Sequence, residues 1–150
     1  MLFFRAAEAA SQKMGVQIIL APVHDDAGIE ASLKVAGREP GGGVITPPDP
    51  FMSARSKLIV DTATRYYVPA IYEFKFFAAE GGLLSYGIDL PDLYLRSASY
   101  VDRILRGEKP ADLPVQQPTK FQLVINLNTA RTLGLTVPAA LLATADEVIE

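Results

Sequence analysis

The stretch Gly81–Val101, "GGLLSYGIDLPDLYLRSASYV", decides how the chain is read. A short apolar run ends in Ser85-Tyr86-Gly87, and a long helix is expected from Asp89 to Arg106, stopped by Gly107. Two more strand–loop–helix units lie upstream, without an internal sequence repeat. "GVITPPDPF" is a short strand closing in a proline-stiffened loop, and Asp49-Pro50 is a good helix start. Phe51, Ala54, Leu58, Thr62 and Tyr66 share one face of the helix that follows. "VPAIYEF" is the next strand and "KFFAAEGG" a short helix with a glycine exit.

Further upstream, Leu2–Met14 is Ala-rich and helical by propensity, with Gly15 as its stop. "VQIILAPV" (Val16–Val23) is a continuous apolar run, which predicts a strand buried on both faces. Asp25 or Asp26 caps a helix whose Ile29, Leu33 and Ala36 form one stripe, broken at "REPGGG". Strict alternation of short non-alternating strands with helices predicts an α/β fold, an open and mainly parallel sheet flanked by helices. After Gly107 the style changes. "EKPADLPVQQPTK" reads as an extended connector and "FQLVINL" as a strand. A helix capped by Asn128 is expected to end at Gly134, and another to open at Pro138 before the acidic tail "ADEVIE". The division falls into residues 1–88, an α/β lobe, and 89–150, which hold the long helix, the connector, the return strand and the last helices.

Composition removes several classes of function. The chain has 150 residues, enough for one domain with a real core, with 49% hydrophobic and 21% charged residues. A net charge of −3 and no cluster of Lys and Arg leave no electrostatic footprint for nucleic acid. With no cysteine, thiolate zinc sites and cysteine nucleophiles are excluded. His24 is the single histidine, beside Asp25 and Asp26, so the usual nucleophile–base pairs cannot be built. The glycines of "REPGGGV" precede a strand, whereas phosphate loops follow one. The expectation is a protein that is not an enzyme and uses no cofactor or metal. No run of apolar residues is long enough to span a membrane, and "MLFFRAAEAASQKMG" does not read as a signal peptide.

What remains is the edge of the sheet. Ligands of open parallel sheets bind at the carboxyl ends of the strands. Those ends carry Ala21-Pro22-Val23, Thr46-Pro47-Pro48-Asp49, Tyr72-Glu73-Phe74 and Ser85-Tyr86-Gly87. Two tyrosines, a serine and an acid there make a recognition rim for a small molecule rather than a reaction centre. The helix from Asp89 is the second clue. Leu93, Tyr94, Ala98, Tyr100, Val101, Ile104 and Leu105 cover well over half its circumference, so it wants a second body to lean on.

The order of motifs resembles one bacterial family, the ABC-transporter substrate-binding proteins of the type I periplasmic-binding fold, in their tryptophan/tyrosine-type branch. The residues that carry the resemblance are "PPDPF", "PAIYEF", "GGLLSYGIDLPDLY", the run "SYVDRILRGEKPADLPVQQPTKFQLVINLNTARTLGLTVP" and "ADEVIE". The resemblance implies two α/β lobes closing on a solute that is handed to an ABC permease. It covers the carboxyl-terminal lobe only. A strand that lies centrally in such a lobe, ahead of the helix at Leu2, is not in this sequence. The resemblance makes 89–106 the segment that crosses to the other lobe, and maps Asp49, Tyr72, Ser85 and Tyr86 to the ligand-facing edge. Glu73 stands where a proline is expected. An aromatic amino acid is the implied solute class, and the periplasm the implied location, against the cytoplasm for the chain as written. Alone, such a lobe is expected to self-associate through helix 89–106 and to patch its sheet with another copy. The alternative is a self-associating structural or regulatory α/β protein with no solute.

Overall fold

The computed structural model describes residues 2–150. Its centre is a five-stranded sheet in which the strands follow one another in chain order. They are β1 (Val44–Ile45), β2 (Ala70–Tyr72), β3 (Leu84–Ile88), β4 (Phe121–Asn126) and β5 (Glu147–Ile149). β1, β2 and β3 run parallel, β4 is antiparallel to β3, and β5 is parallel to β4. The helices are α1 (Leu2–Met14), α2 (Asp26–Ala36), α3 (Pro50–Ser53), α4 (Ser56–Arg65), α5 (Lys75–Ala79), α6 (Leu90–Leu105), α7 (Leu127–Thr132) and α8 (Ala139–Leu142). This is the open, mostly parallel α/β sheet that the alternation of elements implies.

The core lies where α2, α4 and α5 meet β2. Ile29 and Leu33 of α2, Ile59, Val60 and Ala63 of α4, Phe77 of α5, and Val68, Ala70 and Tyr72 form one buried cluster. Phe77 is completely buried, its ring stacked on Tyr72 at 4.8 Å and on Phe76 at 4.7 Å. Burying rings of this size is among the largest single contributions available to a domain, roughly 1.5–3 kcal/mol each. The opposite face of the sheet is less complete. Ile45, Ile71, Ile125 and Val148 stand in one row across the strands through their register, with Leu84 between them. Ile125 is closed off, but Ile45 is 65% exposed and Ile71 39%.

Four expectations change against the structure. Val16–Val23 is not a strand: residues 16–24 have no regular structure, and Ile19 is 73% exposed. An apolar run becomes a strand only when its N–H and C=O groups meet a ladder, and among the described residues none is offered to it. The acidic tail is not a tail: Glu147–Ile149 is β5, held by three register pairs along β4. The cap of α7 is Asn126, whose side chain accepts from the Thr129 amide, and Asn128 lies inside the helix. The helix expected through Phe51–Tyr66 is broken at Ala54-Arg55 into α3 and α4.

α6 is the element that the sheet does not absorb. It is capped by Asp89, has proline in its first turn and stops before Gly107, whose φ of 98° suits glycine. None of its sixteen residues is buried, and Tyr94, Leu95 and Leu105 are each more than 70% exposed.

Candidate functional site at the carboxyl ends of β1, β2 and β3

Each strand of the parallel set ends for a local reason. β1 runs into Thr46-Pro47-Pro48, and proline has no N–H to continue a ladder. Asp49 then caps α3: its carboxylate accepts from the Phe51 amide at 2.8 Å and the Met52 amide at 3.2 Å, with Pro50 at the first helical position. β2 ends at Tyr72, after which Glu73 and Phe74 lead into α5. β3 ends at Ile88, and Asp89 starts α6.

The antiparallel turn of β4 brings its first residues to the same edge. The Asp89 amide donates to the Lys120 carbonyl at 3.0 Å, and the Lys120 ammonium pairs with the Asp89 carboxylate at 2.6 Å. Gln122 Nε2 donates to the same carboxylate at 3.1 Å. That hydrogen-bonded partnership with Lys120 holds the Asp89 carboxyl below the usual carboxylate range and the Lys120 ammonium above its own. The point where the chain leaves the sheet is thus clamped to the point where it returns.

The four residues named from the sequence divide into two pairs, the three on strands by strand parity and Asp49 by its place as the α3 cap. Asp49 and Tyr86 are exposed on the edge, the Tyr86 ring stacking on Phe121 at 6.1 Å. Tyr72 and Ser85 are register partners and both are buried, on the face covered by α5. Burial, with Glu73 beside it, pushes the Tyr72 hydroxyl far above the ordinary phenol value. The Ser85 hydroxyl is buried without a hydrogen-bond partner. Tyr72 and Ser85 therefore stand behind the edge, and Asp49 and Tyr86 on it.

Glu73 is the residue at this edge to which sequence reasoning gave no role. It is only 4% exposed. The Thr46 hydroxyl donates to its Oε2 at 2.6 Å and the Ser53 hydroxyl to its Oε1 at 3.4 Å. Burial pushes its carboxyl up; the Thr46 hydroxyl, its own backbone amide and the Ser53 hydroxyl oppose this, and nearby Asp49 adds to it. Among the described residues no Lys or Arg is paired with it. The one signal in the sequence was an acid directly after an apolar strand, in "AIYEF".

His24 is exposed in the loop ahead of α2, where Asp25 is spent on capping the Gly28 amide at 2.7 Å. Among the described residues no group of three or more His, Cys, Asp or Glu side chains could hold a metal ion. Among the described residues no helix is long and apolar enough to cross a membrane. A cleft of about 440 Å³ lies between α6 and the connector; none of the four residues lines it, but Asp89 and Lys120 of the clamp do, with Leu93, Tyr100, Ile104 and Val115 among others.

Residues 4–149 match the ABC transporter substrate binding protein family. Among solved structures, the chain is similar to an ABC domain in complex with L-Trp from Streptococcus pneumoniae, with 26% identity and a TM-score of 0.87 over 99% of this chain and 51% of that one. A conserved domain protein from Vibrio cholerae O1 biovar El Tor shares the fold at 24% identity and a TM-score of 0.86, over 97% of this chain and 49% of that one. A ligand-free, open substrate binding protein with adhesive properties from Clostridium difficile is more distant, at 18% identity and a TM-score of 0.64, over 97% of this chain and 48% of that one. The chain spans about half the length of the solved structures it matches. No curated protein matches it.

Proposed function

The chain belongs to the ABC-transporter substrate-binding protein family, and from that premise we propose that it is the carboxyl-terminal lobe of a two-lobed solute receptor. The observation that supports this most is α6: sixteen residues, amphipathic, capped at its start, and none buried. A helix built to that standard and left bare is made to lie against another body. On this reading residues 1–88 form the lobe proper, the chain crosses to a first lobe at Asp89, and the Asp89–Lys120 clamp marks the hinge. Family members are not catalysts, and the receptor reading assigns this chain no catalytic step.

The solute would lie on the edge formed by Asp49, Tyr72, Ser85 and Tyr86. Asp49 and Tyr86 would touch it directly, and Tyr72 and Ser85 would fix the strand ends behind them. An exposed tyrosine stacked on Phe121 offers an aromatic platform, and Asp49 an acceptor, which suits a small aromatic amino acid. The L-Trp bound by the Streptococcus pneumoniae relative points the same way. Lobe closure on the solute would present it to an ABC permease, in an extracytoplasmic setting.

Self-association is the second part of the proposal, through the bare face of helix 89–106 and with the sheet patched by another copy; the open β1 edge supports the patching. Ile45 and Ile71 are exposed on one side of the sheet, β1 is an edge strand, and the apolar Val16–Val23 segment joins no ladder among the described residues. A strand added there, or exchange of Val16–Val23 between copies, would cover both. Isothermal titration of L-tryptophan and L-tyrosine, run with light scattering on the same sample, tests the two parts separately. Binding that Tyr86→Ala weakens supports the receptor reading. No binding, with assembly intact, would leave the solute-free alternative.

A further inference from the structure

Glu73 reaches three separate pieces of the proposed ligand edge. Its two carboxylate oxygens are taken by Thr46, at the end of β1, and by Ser53, in α3. Those two residues are the ends of a short proline-stiffened loop, and Asp49 lies between them. Its backbone carbonyl faces β3: a Cβ built on Gly87 would stand 1.7 Å from the Glu73 oxygen and 2.8 Å from its carbonyl carbon. Gly87 is the neighbour of Tyr86. One residue thus touches the supports of both exposed groups at the edge.

We propose that Glu73 is a positioning residue that sets where Asp49 and Tyr86 stand relative to each other, its side chain stapling the Thr46–Ser53 loop and its carbonyl seating β3. This rests on the receptor reading for its purpose and on the hydrogen bonds for its mechanism. Glu73 does not touch solute, because it is 4% exposed. It works through its neighbours. A carboxylate buried with no cation beside it is an unfavourable way to fill space. The short bond from Thr46, 27 positions away, with a longer contact from Ser53, 20 positions away, helps make it tolerable. An apolar residue could pack there, but it could not hold both ends of the loop. A glutamine could, accepting from one hydroxyl through its oxygen and donating to the other through its amide.

The test is amide NMR on the 150-residue chain with Glu73→Ala, Glu73→Gln and Thr46→Val. The reporters are the Phe51 and Met52 amides, which the Asp49 carboxylate holds, with the Thr129 amide in α7 as the distant control. Glu73→Ala is expected to shift the Phe51 and Met52 signals and speed their hydrogen exchange about tenfold, leaving Thr129 unchanged. Glu73→Gln restores both, and Thr46→Val gives a smaller change of the same kind. On L-tryptophan titration, Glu73→Ala weakens binding about tenfold and Glu73→Gln stays within about threefold of the parent. If the Phe51 and Met52 amides are unmoved in Glu73→Ala and Thr46→Val, or Thr129 moves as much as they do, the proposal is overturned. If the amides respond as expected and the parent binds no aromatic amino acid, the staple stands and the solute reading fails.

Discussion

Gly87→Ala is the smallest change that reaches the sheet edge, one methyl group on β3. Gly87 does not have a left-handed φ, so alanine's own backbone preference is not at stake. The difficulty is space. The new Cβ would stand 1.7 Å from the Glu73 carbonyl oxygen, and both near atoms belong to the backbone, so no side chain can rotate away. Bringing that contact to a tolerable separation moves β3 and the end of β2 apart by more than about 1 Å, against packing as dense as a crystal's. Overpacking of side chains costs about 1–3 kcal/mol, and a clash between two backbones belongs at the top of that range. The entropy that glycine loses on folding returns about 0.4–1 kcal/mol. The net is a loss of about 2–3 kcal/mol. For a chain of this size that lowers the Tm by about 4–12 °C. Thermal melts followed by far-UV circular dichroism, parent against Gly87→Ala, measure it. An unchanged Tm, or one raised by the glycine entropy term alone, would refute the reasoning.

Phe77→Ala empties the centre of the aromatic stack and is expected to cost about 3–5 kcal/mol, or about 6–20 °C in Tm by calorimetry. For Glu73 the sign follows from its raised carboxyl pKa. Its contribution to stability is present below the ordinary glutamate range and lost as pH rises through the raised value, where the buried charge forms beside Asp49. Glu73→Gln keeps the shape without the charge, so it should melt with the parent near about pH 4 and above it near about pH 8. Asp89 behaves oppositely: its lowered pKa gives stability above the ordinary carboxylate range that is lost as pH falls through the lowered value. Lys120→Met should raise the Asp89 pKa and start that acid loss at higher pH, read by carbon NMR of the Asp89 carboxyl.

How far the sequence revealed this depends on whether the interaction was local. Asp49-Pro50 and Asp89 with Pro91 are local start signals, and α3 and α6 begin there. The apolar run of Val16–Val23 looks like a buried strand because burial propensity is local, but pairing is not, and no ladder reaches it. β5 shows the reverse. Glu147–Ile149 carries two β-branched residues, but three residues inside an acidic run are too short a signal to mark a strand, and β5 exists because β4 offers it an edge. At the site, Tyr72 and Tyr86 look alike in sequence as tyrosines near strand ends. Strand parity separates them, one against Phe77 in the core and the other outside on Phe121. Glu73 was present in "AIYEF", but its partners lie 27 and 20 residues upstream, a pairing no window of sequence contains.

The central claim is that solute meets this chain at the carboxyl ends of β1, β2 and β3. The most direct measurement is a map of amide chemical shifts on the 150-residue chain as L-tryptophan and L-tyrosine are added to saturation. The account predicts shifts concentrated at Thr46–Ser53, Tyr72–Glu73 and Ser85–Ile88, removed by Tyr86→Ala. Shifts confined to the cleft between α6 and the connector, or no shifts at all, would contradict it.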